Sequence, residues 1–345
     1  MEEVQGGEGG SYTWVGYELC LKSWTLGISA SRAAWFDGWL TRTIDAGRID
    51  TAELREALGR MVFIYGALQY DKPFLAPLFA FLKLHRPGVE RRLPLYVLMV
   101  LRWLRERLRK RRAHPVLRRA SVDRAVLRVD AKAEGLAVAV GGWAPFHNEQ
   151  GQVVTSKSRW FSVTLTEKNA PWAFVSGVPA RAISTLELLA TTLGLVLLAP
   201  PELDTPGRAG TVSVTGFTDS QVSAAVVSRG LTTAFPLCCV AMELSAQLEA
   251  RGAELFLEWI PRGSNQEADR LADGNWDGFS PELRVVSDLV NVSWLVLPGL
   301  LASGLEFHAR VKRADERRRR AGGAAGPVHA QGKRKRQKLK EKEPW

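Results

Sequence analysis

The sequence predicts a mixed α/β protein: a five-stranded mixed sheet with flanking helices, preceded by a mainly helical region. Three observations predict it. Strand-like alternation recurs in five short stretches between residues 125 and 260. Helical apolar spacing fills the gaps between them, in the order strands, helix, strand, helices, strand, helix. Residues 26–122, by contrast, carry helical spacing almost throughout.

Residues 1–11 begin MEEVQGGEGG, acidic and glycine-rich, and are expected to be disordered, without a signal-peptide pattern. Ser11–Lys22 suits a short hairpin or a strand. From Ser29 the chain reads as helix, breaks at Gly47 and resumes at Asp50. Asp50 or Thr51 can cap that second helix, and Leu54, Leu58, Met61 and Val62 give it an apolar stripe. Pro73, Pro77 and Pro87 punctuate the next stretch of chain. Leu93–Arg112 is a helix that is apolar first and densely basic afterwards. Arg105, Arg109 and Arg112 recur at helical spacing and can share one face with Arg102 nearby, as a solvated surface or as one that contacts phosphates.

From Asp123 the pattern turns to strands. Ala125–Asp130 and Leu136–Gly142 form a hairpin-like pair with Gly135 in the connection, and Arg159–Thr166 is a third strand. A helix over Ile183–Leu198 places Leu186, Leu189, Ala190, Leu193 and Leu197 on one side. Thr211–Phe217 is the fourth strand, followed by Asp219. Ser220–Arg229 and Phe235–Arg251 are helices closed by Gly230 and Gly252. Leu255–Ile260 reads as a mostly buried fifth strand. Ser264 stands three residues before Glu267, a capping-box spacing that starts a helix at about Asn265 and puts Asp269 in its first turn. Beyond Trp276 an apolar, proline-broken segment reaches Phe307, and the tail from His308 is low-complexity and expected to be disordered. The resulting division is 1–25, 26–122, 123–275, 276–307 and 308–345.

Charge is distributed unevenly along this order. The net charge is +11. Residues 308–345 hold 14 Lys and Arg against 4 Asp and Glu, and residues 102–122 hold 9 against 1. Residues 123–300 hold 13 against 19. An acidic body flanked by basic segments suits a polyanion gripped from outside a cation-binding site. Cys20, Cys238 and Cys239 lack metal-ligand or disulfide-framework spacing, which points to a reducing compartment. The apolar runs at Leu186–Ala199 and Val285–Leu305 are too short or too polar to span a membrane.

Four carboxylates follow the strand order: Asp130 at the end of the first strand, Glu187 in the first turn of the helix, Asp219 past the fourth strand, and Asp269 at the last helix. Each has an ordinary reading by itself. Glu187 can complete a capping box with Ser184, Asp219 can cap a helix and Asp130 can end a strand. Taken together, hard carboxylate oxygens converging on a sheet edge suit Mg²⁺ or Mn²⁺. Two such ions about 3.5–4 Å apart can serve in-line attack on a phosphodiester.

VLRVDAKAEG, STLELLATT, GFTDSQVSAAVV and NQEADRLAD together resemble the RNase H domain of reverse transcriptases, particularly those of retroelements. The resemblance covers residues 123–275. It implies Asp130, Glu187, Asp219 and Asp269 as metal ligands and catalytic residues, with Asn265 four positions before the last. It implies two Mg²⁺ (or Mn²⁺) ions and hydrolysis of the RNA strand of an RNA–DNA hybrid, read by backbone shape and 2′-hydroxyls. WVGYELCLKSWTLGIS is similar to the end of a reverse-transcriptase palm, and LGRMVFIYGALQYDKPFLAPLFAFL to the thumb or connection that follows. The Tyr-x-Asp-Asp motif is absent, so polymerase activity is not expected of this chain; a separate polymerase-bearing polypeptide is a conceivable partner. The short IPRGS link carries no histidine where cellular relatives have one, and Lys132 stands where many relatives have a small polar residue. Arg102, Arg105, Arg109, Arg112, Arg262 and Asn265 are the expected nucleic-acid contacts. Two other readings remain open. One is an inactive relic that binds nucleic acid; the other is a recombinase or integrase, in which Asp273 or Asp277 would supply the late acid. Gly332–Lys342 resembles a nuclear-localisation run or a nonspecific nucleic-acid tail, so the expected location is nuclear or cytoplasmic rather than secreted, with no membrane partner.

Overall fold

Residues 5–6, 10–116, 118–119, 125–199, 211–285 and 289–322 are described in the structure, a computed structural model. The basic run Gly332–Lys342 and Asp123 lie outside the described residues.

β1 (Gln5–Gly6), β2 (Ser11–Trp14), β3 (Tyr17–Cys20) and β4 (Thr25–Ile28) pair antiparallel in succession. The hairpin expected within 11–22 is present. Pairing with Tyr12 and Thr13 puts Gln5 and Gly6 in a sheet, not in a disordered start. α1 (Ala30–Ala46) begins at the Ser29 hydroxyl and ends at Gly47, φ 60°, a left-handed conformation that carries no side-chain penalty for glycine. β5 (Arg48–Asp50) leads into α2 (Thr51–Ile64), whose first amides donate to the Asp50 carboxylate. α3 (Ala76–Leu84), β6 (Glu90–Arg92) and α4 (Leu95–Lys110) come next, with β6 antiparallel to β5. β7 (Ala113–Pro115) returns to β4.

The main sheet is built from the chain beyond β7. β8 (Arg118–Arg119) is a two-residue addition beside a later strand. β9 (Ala125–Glu134), β10 (Ala137–Ala144) and β11 (Arg159–Leu165) form an antiparallel meander. After α5 (Pro171–Phe174), α6 (Ile183–Leu198) carries the chain over to β12 (Thr211–Thr218), parallel to β9. α7 (Gln221–Arg229) and α8 (Leu237–Ala250) lead to β13 (Ala253–Trp259), parallel to β12. The spatial order β11-β10-β9-β12-β13 is the expected five-stranded mixed sheet with flanking helices. α9 (Gln266–Ala272) and α10 (Leu297–Gly322) complete the described chain.

Several elements differ from their sequence patterns. β13 is an edge strand: Ala253 and Leu255 are buried, whereas Phe256 and Trp259 are exposed. α6 is buried on nearly all sides, because the sheet takes one face and α8 the other. Together with the preceding turn it forms the helical stretch Pro179–Leu198, long and apolar enough to cross a membrane, yet 72% of its apolar span is buried inside the protein. The expected disorder from His308 onward is corrected by α10, which runs to Gly322. Its middle is anchored by Phe307 and His308 against Tyr96 on α4, with His308 also stacked on Phe235. These apolar anchors order a segment whose charge alone would suggest disorder.

The helical region and the sheet share one continuous hydrophobic core. Polar contacts cross it as well. The Tyr70 hydroxyl donates to the Ala253 carbonyl at 3.0 Å, and the Ser245 hydroxyl donates to the Tyr70 carbonyl at 2.6 Å. Arg107 on α4 lies between Asp71 and Glu249 of α8. Burial pushes the Asp71 carboxyl up to about 6, against the pull of Arg107.

Candidate metal centre

The sheet makes an opening where two parallel strands part. β12 pairs with β9 only as far as Phe217 opposite Arg128, and β12 ends at Thr218, whereas β9 continues to Glu134. Asp130 is therefore in mid-strand rather than at a strand end, and it sits beside the place where its neighbour has stopped. Asp219 leaves the same end of β12 in a turn held on both sides. The Ser220 amide donates to the Thr218 hydroxyl at 3.1 Å, and the Trp259 indole donates to the Asp219 carbonyl at 3.0 Å. The Ser220 hydroxyl, not Asp219, caps α7.

Glu187 arrives from α6. That helix starts at Ile183 directly after the 3-10 turn Pro179–Ala182, with no side-chain cap, so Glu187 lies in the second turn and no Ser184 capping box forms. Asp130, Glu187 and Asp219 each present a carboxylate oxygen, all within 4.8 Å of one another. Asp130 and Glu187 are buried.

Three carboxylates in this space repel each other. Burial first, then the Asp219 charge, pushes Asp130 up to about 8. Burial, then Asp130 and Asp219, pushes Glu187 up to about 9, with Arg262 opposing. Glu187 Oε2 is buried with no hydrogen-bond donor among the described residues. An orphaned buried acceptor among hard oxygen donors fits a divalent cation, which would displace the protons that otherwise satisfy the cluster. These residues would hold Mg²⁺ or Mn²⁺.

The resulting pH dependence has a definite sign. Carboxyls held above their ordinary range of about 4 stabilise the metal-free fold fully at low pH, and that contribution is lost as pH rises through about 8 and about 9. The thermal midpoint in EDTA should fall between pH 5 and pH 9. Added Mg²⁺ should raise it more at pH 8 than at pH 5, because below the shifted values the ion competes with bound protons. Calorimetry at the two pH values checks this, and an equal Mg²⁺ effect at both would contradict it.

Asp269 is near this trio, since its charge helps raise Asp130, but it is not among the three converging oxygens. Its Oδ1 pairs with Arg262 Nη2 at 2.5 Å. α9 positions it by contacts at both ends. The Asn265 side-chain amide donates to the Val129 carbonyl at 2.9 Å, next to Asp130, and the Ser162 hydroxyl donates to the Leu271 carbonyl at 2.8 Å. Arg128 donates to the Ser264 carbonyl at 2.7 Å and lies over the Phe217 ring. Ser264 falls in the 3-10 turn Arg262–Ser264, so the expected Ser264–Glu267 capping box is absent, and α9 starts after Asn265 without a side-chain cap.

This close approach depends on Gly141, the residue opposite Asp130. A Cβ there would come within 2.5 Å of the Ala272 amide nitrogen and 2.7 Å of the Leu271 carbonyl carbon. Gly141→Ala must therefore push α9 off the sheet. The expected cost is about 1–3 kcal/mol, read as a lower urea midpoint, with weaker divalent-ion binding because Asp269 moves away. An unchanged midpoint would mean that α9 is not seated as described.

The expected nucleic-acid contacts separate into groups. Asn265 is corrected: it is 0% exposed, so it cannot touch a ligand and instead pins α9 to β9. Arg109 makes a two-point contact with Asp37 at 2.7 and 3.1 Å, and Arg112 is 3.8 Å from Glu18. Arg112 lies past the end of α4, so it does not extend a helical face. Arg102 is exposed and Arg105 half-buried. Arg262 has a side chain 76% exposed at the rim of the carboxylate cluster. Lys132 turns to Asp273 at 2.8 Å and Glu134 at 3.3 Å, which also occupies the late acid of the integrase reading. Arg128 and Trp259 were not foreseen as supports; an arginine inside a strand otherwise alternating with apolar residues was the available signal for the first.

No protein-family model matches the chain, and no curated protein matches it significantly. Solved structures similar to it include an RNase H1 from the halophilic archaeon Halobacterium salinarum, at 19% identity and TM-score 0.30, covering 45% of this chain and 98% of that one. Another is the N-terminal RNase H domain of a Mycobacterium tuberculosis protein, at 17% identity and TM-score 0.29, covering 45% and 100%. A foamy viral protease-reverse transcriptase in complex with double-stranded DNA is similar at 13% identity and TM-score 0.25, covering 73% of this chain and 38% of that one. Likeness at this level bears on neither activity nor substrate.

Proposed function

We propose that the chain is an RNase H-type endonuclease that hydrolyses the RNA strand of RNA–DNA hybrids with divalent metal ions. The observation that carries this reading is the convergence of Asp130, Glu187 and Asp219 at the opening between β9 and β12, with a buried Glu187 oxygen that has no donor among the described residues. Bound there, Mg²⁺ or Mn²⁺, in a pair as the family resemblance implies, would stabilise the charge that develops on a phosphodiester during hydrolysis. The protein's own part is to keep the carboxylates fixed: Asp130 by a paired strand, Glu187 by a buried helix, and Asp219 by the Thr218 and Trp259 hydrogen bonds. Asp269 is the fourth acid, and release of Arg262 from it toward a strand phosphate would free both groups for substrate and metal. Water supplies the hydroxyl, the P–O3′ bond breaks, and the ends are a 3′-hydroxyl and a 5′-phosphate.

The context that accompanies this reading is a retroelement-derived reverse transcriptase/RNase H polypeptide, acting in nucleus or cytoplasm, with a separate polymerase-bearing polypeptide as a possible partner. One feature favours an inactive nucleic-acid-binding relic instead: the ion pair that already occupies Asp269. A substrate panel separates the readings. The nuclease cuts RNA in a hybrid and spares double-stranded DNA and single-stranded RNA. The relic binds with strong salt dependence and cuts nothing.

A further inference from the structure

Remote from the carboxylates, a cavity of about 620 Å³ lies among the end of α3, β6, the start of α4 and α10. Arg91 and Arg92 border it from β6, Arg310 from α10, and His85 joins them. Among the described residues, no Asp or Glu lines it. None of the three guanidinium groups is ion-paired with a described residue, whereas Arg48, Arg107, Arg109 and Arg112 all have carboxylate partners. His85 registers the accumulated charge: burial first, then Arg91 and Arg310, hold its imidazole below the ordinary value. The floor is apolar, with Leu84, Leu98 and Phe307 among its residues. The first turn of α4, which no side chain caps, opens onto the same space and adds the positive end of a helix dipole.

Three unneutralised guanidiniums at one cavity repel one another, and a multivalent anion relieves that repulsion. Planar guanidinium forks match phosphate oxygens two at a time. A bare phosphate would leave the apolar floor wet, whereas a base and sugar would cover it. The volume is within the roughly 300–1,000 Å³ of small-ligand sites. We propose that this cavity is a nucleotide site, taking the phosphate of a nucleoside phosphate on Arg91, Arg92 and Arg310 and its base over Leu84, Leu98 and Phe307. It is distinct from the metal centre: α6 packs on α8, α8 on α10, and α10 on α3 and α4, so layers of helix separate the two. The same chemistry is available from a free mononucleotide and from the phosphorylated end of a nucleic-acid strand.

The test uses the full chain and three probes: a fluorescent nucleoside diphosphate, a 5′-phosphorylated single-stranded oligonucleotide, and the same strand with a 5′-hydroxyl. Arg92→Glu and Arg310→Glu alter the cavity, and Arg55→Glu on the exposed face of α2 is the matched charge control. Arg310→Gln removes the charge without reversing it, and thermal midpoints confirm folding. Saturable binding that weakens at least about 10-fold in both cavity variants, and is unchanged in Arg55→Glu, is expected. Binding of the diphosphate makes free nucleotide the source; binding of the phosphorylated strand alone makes it a strand end. Three results would overturn the site: no saturable binding of any probe, equal weakening by Arg55→Glu, or equal binding of the two strands without diphosphate binding.

Discussion

Asp130→Asn should lower metal-dependent hybrid cleavage by at least about 100-fold and at the same time raise the thermal midpoint of the metal-free protein. Opposite signs arise from one cause. Asp130 and Glu187 are buried and their oxygens meet Asp219 within 4.8 Å, so each raises the cost of ionising the others. An amide in place of the Asp130 carboxylate removes that repulsion and can donate to the orphaned Glu187 oxygen, which stabilises the fold without metal. It also removes a hard anionic ligand, which weakens Mg²⁺ binding and with it cleavage. A variant that loses cleavage and stability together would be a damaged fold rather than a missing ligand. One that keeps cleavage would move the chemistry elsewhere.

Glu243→Ala should be the most damaging single change to stability away from the metal centre. Glu243 on α8 is 0% exposed, and its carboxylate accepts from the amides of Leu295, Val296 and Leu297 at 3.0, 2.7 and 2.8 Å. The Gln247 amide adds a fourth donor at 2.6 Å. These are the unpaired amides at the start of α10, and a carboxylate at the positive end of a helix satisfies them and the dipole together. Alanine leaves the donors buried and unbonded, at a cost of about 3–5 kcal/mol. Glu243→Gln keeps one acceptor and should cost less. Urea unfolding measures both, and limited proteolysis should show residues 289–322 opening first. Equal stability of wild type and Glu243→Ala would mean that α10 is not held from α8.

The sheet was legible because its strands alternate and glycine or proline bounds them; α6 was legible because its apolar positions are continuous. The exact stations of the acids were less so. Ser184 and Glu187 have capping-box spacing, yet the preceding 3-10 turn feeds straight into Ile183 and leaves Glu187 one turn deeper, where it can reach Asp130. Asp130 read as a strand end because the Gly135 turn was near, but β9 keeps pairing with β10 past it. Asn265 drew attention as a polar residue beside an acid. Its work is internal, and only burial distinguishes a pin from a contact. Arg109 has its partner 72 residues away in Asp37, a pairing that spacing along one helix cannot reveal. Glu243 was passed over because an isolated glutamate in an apolar helix has no local pattern; its partners lie more than fifty residues onward.

The most direct measurement is cleavage of a labelled RNA–DNA hybrid by the full chain in Mg²⁺, in Mn²⁺ and in EDTA, with Asp219→Asn alongside. The expected result is cutting of the RNA strand that requires the metal and disappears in the variant, while the variant stays folded and still binds hybrid. Cutting that persists in EDTA or in Asp219→Asn would contradict the assignment of the carboxylates as a metal-dependent nuclease centre.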